Sequence, residues 1–182
     1  MGELNQLEEL ERLKSRMASE RPAHWDALPD IPLYMDQVVS YLGRQLITFR
    51  ESEGLTSAMI NNYIKDGIAP RANGKRYEKE HLATLTAIAI LKQVLSVRDL
   101  ATLLENNIKV GNLDSDYERF LTGLDSAFQE ALVDIENGPD DLPTLAVSLA
   151  LRSYADLLAC RRILDLLRMD EEESGKEKKK KK

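Results

Sequence analysis

Between Gly54 and Tyr77 the chain sets a turn, a short helix and a hairpin in immediate succession. Gly54-Leu55-Thr56 supplies the turn, with Leu55 packing it inward. Thr56 or Ser57 accepts the free N–H groups that open the helix. Along that helix Ile60, Tyr63 and Ile64 share an inner face, while Ser57, Asn61 and Lys65 fall opposite, with Asn62 beside them. Gly67 stops the helix. Asn73-Gly74 is a strong two-residue hairpin signal, and it places Arg71 and Lys75 or Arg76 on a short wing. This order restricts the chain to folds in which one helix and one loop face the same outer surface. That geometry suits a DNA groove, where asparagine bonds adenine bidentately and Lys65 meets a phosphate.

The flanking sequence is helical. Residues 36–46 bury Val38, Val39, Leu42 and Leu46, and 78–95 turn Leu82, Leu85, Ile88, Ala89 and Leu91 inward. Ser96-Val97-Arg98-Asp99 has capping-box spacing, with Asp in place of Glu, and opens a helix over 96–105. From 116 to 136 the residues Tyr117, Phe120, Leu121, Leu124, Phe128 and Leu132 keep helical period. Asn137-Gly138-Pro139 stops that helix, and a last one spans 142–168. Its first half is apolar on nearly every side and needs cover on nearly every side, part of which a second copy of the chain can supply. Before all of these, 3–19 form a loosely docked helix whose leucines recur every three residues. Pro22, Pro29 and Pro32 then make an extended strap anchored by Trp25.

Four segments follow: a helix and strap over 1–33, the motif-bearing unit over 34–110, a helical hairpin over 111–169 and a disordered charged tail over 170–182. The expected class is all-α with a small β-hairpin wing and a C-terminal helical hairpin. At 182 residues, with 43% hydrophobic content, the chain is long enough to bury a core. Its single cysteine, Cys160, fits a reducing cytosol, as does the lack of a signal-peptide pattern or a bilayer-length apolar run.

Charge sets the main constraint on partners. The net charge is −6, yet Lys176 to Lys182 carry six lysines against one glutamate, so the preceding 175 residues sum to −11. Against that acidic body, Lys65, Arg71, Lys75, Arg76 and Lys79 outnumber Asp66 and Glu78, a local +3. DNA contact therefore rests on a local patch.

At these residues the chain resembles the winged helix-turn-helix of MerR-type transcription regulators. The turn Gly54-Leu55-Thr56, then Ile60, Tyr63, Gly67-Ile68 and Pro70, align with that family's recognition region without gaps. Arg76-Tyr77 resembles its wing arginine and following tyrosine, and Ser96-Val97-Arg98-Asp99-Leu100 the start of its fourth helix. The whole arrangement is similar to an uncharacterised bacterial family known as a domain of unknown function with a MerR-like fold. Four features depart from the MerR pattern. Asn61 stands where an arginine usually grips the backbone, the connection over 46–53 is longer, the wing is a residue shorter, and the helix pair over 116–168 replaces the dimerisation coiled coil.

The resemblance implies a cytosolic bacterial transcription regulator that binds double-stranded DNA. Its expected DNA-binding residues are Thr56, Ser57, Asn61, Asn62, Tyr63, Lys65, Arg71, Lys75 and Arg76, and a homodimer through the C-terminal helices gives paired half-sites. The competing expectation is a protein-interaction adaptor that keeps the fold without DNA contacts; a third is a sensor holding a small apolar effector between the C-terminal helices. His24 and His81 show no metal-ligand spacing, and His81 is expected at the surface. Neither a catalytic set nor a phosphate-cradling loop is present, so neither an enzyme nor a cofactor is expected.

Overall fold

The structure, a computed structural model, describes residues 2–47, 54–107, 112–139 and 141–180. Most of the connection before the turn (48–53), Gly111 and the last two lysines lie outside the described residues. Seven helices follow in order: α1 (Gly2–Ser19), α2 (Met35–Leu42), α3 (Ser57–Lys65), α4 (Lys79–Leu91), α5 (Val97–Asn107), α6 (Leu113–Glu136) and α7 (Leu142–Lys180). A 3₁₀ turn at Trp25–Ala27 interrupts the strap. No described helix is long and apolar enough to cross a membrane.

α4 is the axis of the molecule. Every residue from His81 to Ala89 is buried, because α2 packs on one side of α4 and α6 on another. Side chains such as Leu82 and Ile88 are wholly enclosed, and burial of each contributes roughly 2 kcal/mol. α3 packs on α2, α6 also covers α1 and the 3₁₀ turn, and α7 packs on α5 and α6. One hydrophobic core joins Leu28 of the strap, α2 to α5, Tyr117 and Leu121 of α6, and Leu164 of α7. As the sequence suggests, Trp25 anchors the strap: its ring meets Tyr117 edge-on at 6.4 Å, and its backbone N–H donates to Glu118 at 2.7 Å.

Three expectations change. In place of a β-hairpin, a single antiparallel bridge joins Asn73 to Arg76, a second ties Tyr77 to Leu33 of the strap, and no strand is present among the described residues. Pro70 lacks a donor on one side of the turn and α4 begins on the other, so neither arm has length for a ladder. His81 is buried, at 7% exposure, not on the surface. Finally, helical backbone continues through the segment expected to be disordered, up to Lys180. That segment holds strong helix formers and follows directly from an established helix, so propagation needs no new nucleus.

Candidate nucleic-acid interface

α3 is bounded at both ends by the residues the sequence singles out. The Thr56 hydroxyl accepts the Met59 N–H at 3.2 Å, which settles the capping role on Thr56. At the other end Gly67 takes a φ of +75°, the Gly67 N–H reaches the Ile64 carbonyl and the Ile68 N–H reaches the Tyr63 carbonyl at 2.8 Å. This is a Schellman closure, sealed by the buried pair Tyr63 and Ile68. With Ile60 and Tyr63 inward, Ser57, Asn61, Asn62 and Lys65 are left exposed on the outer side. Lys65 sits in the last turn, where a cation also suits the helix dipole.

The loop over 70–78, where the wing is expected, is held from two directions. His81 Nδ1 accepts the Glu78 N–H at 3.0 Å, so its Nε2 carries the proton and donates to the Arg71 carbonyl at 2.9 Å. The same ring stands edge-on to Tyr77 at 5.6 Å. On the other side Leu33 and Tyr77 exchange both backbone hydrogen bonds, at 2.8 and 2.9 Å. Lys79 then pairs with Asp30 at 2.8 Å. The Arg76 guanidinium lies 4.6 Å over the Tyr34 ring and donates to the Tyr34 hydroxyl at 2.9 Å.

These supports bring α3, the wing and the end of the strap around one shallow groove of about 590 Å³, lined by Tyr34, Asp36, Ser57, Asn61, Gly74 and Lys75. Of the expected residues, Ser57, Asn61 and Lys75 line it together. Arg71 and Arg76 are exposed on the wing, and Asn62 and Lys65 on α3. Thr56 has its hydroxyl oxygen committed to the cap. Tyr63 keeps the inner face expected of it, and only its expected DNA contact is corrected: it is 6% exposed and belongs to the core, and burial pushes its phenol up from the ordinary value. Its place at i+3 from Ile60 puts it on the inner face.

Tyr34 and Asp36 are groove residues that sequence reasoning missed. Their neighbours in space lie some forty residues along the chain, and no local spacing announces such a pairing. Asp36 sets a carboxylate in the same groove as the Lys75 cation, which disfavours an anion on that wall.

Elsewhere, Glu78, Glu80 and His81 place one ligand atom each within 4.8 Å of the others. Both His81 nitrogens are already engaged there, so the group serves the wing. His24 bonds Glu118 at 2.8 Å and holds that carboxyl below its ordinary value. Cys160 is half-buried at the edge of the core. An apolar cavity of about 450 Å³ lies where Leu13, Met17, Leu46, Ile90, Leu124 and Phe128 meet, under α1 and not between the C-terminal helices.

Residues 23–120 match the family described as domain of unknown function (DUF1836). That span contains the strap, the groove and α2 to α5, and leaves α1 and most of the α6–α7 pair outside. No curated protein and no solved structure matches the chain.

Proposed function

The chain belongs to the DUF1836 family, and from that premise we propose that it is a double-stranded-DNA-binding transcription regulator of MerR-like, winged helix-turn-helix design. One observation carries the reading: the outer face of α3 and the tip of the wing line the same exposed groove, with Ser57, Asn61, Gly74 and Lys75 on its walls. α3 enters the major groove, Asn61 and Asn62 address base edges, and Lys65, Arg71, Lys75 and Arg76 address flanking phosphates. α6 and α7 pack on the far helices and leave that outer face uncovered.

Affinity from so few cations calls for two copies. α7 supports this with Val147, Leu151, Tyr154 and Leu158, each more than half exposed and spaced to fall on one face. A second chain against that face pairs two reading heads for two half-sites.

The test is duplex binding across a salt series, using the sequences enriched from a random duplex pool. Each phosphate neutralised contributes about −0.9 to the slope of log K against log salt. We expect a steep negative slope, with Arg76→Ala and Lys75→Ala each flattening it by about one such step. A flat salt response favours the other reading, a protein-interaction adaptor, which is supported by the −11 charge of the first 175 residues and by Asp36 in the groove.

A further inference from the structure

Arg76 is exposed, yet it is not free to swing. Its Nη2 donates to the Tyr34 hydroxyl at 2.9 Å, its Nη1 to the Pro32 carbonyl at 3.5 Å, and its Cζ lies over the Tyr34 ring, 4.6 Å from the ring centre. Arginine carries more donors than these, so N–H groups remain to meet a phosphate bidentately. Tyr34 itself is 45% exposed and contributes nothing to the enclosed core. The strap delivers it at a fixed register. Pro32 stiffens the approach, Leu33 turns inward and pairs with Tyr77, and the alternation along extended chain turns Tyr34 outward beside Arg76.

We propose that Tyr34 is a positioning residue of the DNA-binding surface, holding the Arg76 guanidinium in its phosphate-contacting orientation before DNA arrives. The physical gain is entropic. A free arginine loses rotamer freedom when it clamps a phosphate, and one already stacked and hydrogen-bonded has lost most of it. The planar guanidinium also keeps its cation–π contact while its outer edge bonds the anion. Tyr34 therefore acts through Arg76 without itself neutralising a phosphate.

The proposal rests on the DNA-binding reading, and a double-mutant cycle separates the two. Affinity and salt slope are measured on the duplex enriched from the random pool, for the full chain and for Tyr34→Ala, Tyr34→Phe, Arg76→Ala and the Tyr34→Ala/Arg76→Ala pair. Tyr34→Ala weakens binding about fivefold, the cost of immobilising one long side chain, and leaves the salt slope unchanged. Tyr34→Phe keeps the stack and loses less. In the Arg76→Ala background Tyr34→Ala adds nothing further, whereas a merely structural role for Tyr34 adds its loss in both backgrounds. Tyr34 variants that bind like the parent, or whose losses add to that of Arg76→Ala, overturn the positioning role alone. Parent protein that binds no duplex overturns the DNA reading and this inference with it. Circular dichroism on each variant checks that the fold is retained, which the exposure of both side chains favours.

Discussion

Gly67 and Gly74 are the two described residues with positive φ, at +75° and +65°; the first closes α3 and the second lies in the turn bridged by Asn73 and Arg76. At Gly67 an added Cβ meets no atom within 4 Å, so Gly67→Ala tests backbone strain free of any clash. We expect a loss of about 1 kcal/mol in denaturant unfolding, with the slope against denaturant unchanged. The same contrast governs what sequence reveals at this scale. Ser57, Asn61 and Lys65 are legible as a face because they are four residues apart on one helix, and Gly67 is legible as a stop because its role is local. Tyr34 is not legible, since its partner Arg76 lies across the strap–wing contact. His81 escaped for a related reason: its burial depends on Tyr77 and the Arg71 carbonyl, which the wing folds over it.

Among the elements, α2 to α6 sit where apolar periodicity puts them, with ends displaced by a few residues. α4 stops at Leu91, four residues before the expected end, since residues 92–95 form turns ahead of the Ser96 cap. That cap differs in detail from the box it resembles. The Ser96 hydroxyl accepts the Asp99 N–H at 3.2 Å, while the Asp99 carboxylate accepts the hydrogen bond that the Ser96 O–H donates at 2.7 Å and pairs with Arg168 of α7. Arg168 also donates to Thr102 at 2.9 Å, so a helix cap doubles as the seat of α7. The Arg168 guanidinium, aided by the Ser96 hydroxyl, holds the Asp99 carboxyl below its ordinary value. A depressed carboxyl adds stability above its unfolded value, near pH 4, and loses it as pH falls through the folded value. Acid titration should therefore loosen the α5–α7 contact below about pH 4. Asp99→Asn should lower the melting temperature at neutral pH and flatten that acid step. A melting profile of Asp99→Asn that matched the parent at both pH values would remove the latch.

At the scale of the whole molecule, an acidic chain carries a local excess of cations between Lys65 and Lys79, and α7 exposes the apolar residues Val147, Leu151, Tyr154 and Leu158. Both features are legible in the sequence, the cation excess from charge counts and the apolar excess from a helix too apolar for its neighbours to cover. What it left open was the relation between them, which depends on how α7 packs on α5 and α6. Pairing through α7 gives a clear expectation: Leu151→Glu with Leu158→Glu yields a monomer in sedimentation and reduces duplex affinity at least tenfold, while the isolated reading head keeps its helicity. A parent that sediments as a monomer at binding concentrations would refute the paired arrangement. The strap ties these regions mechanically. It is fastened to α6 through Trp25 and Glu118 and to the wing through Leu33 and Tyr77. Held at both ends, the strap offers a path by which a displacement of α6 would be passed toward the loop over 70–78. On the proposed DNA-binding reading, grip on the duplex would then respond to changes on the far side of the molecule.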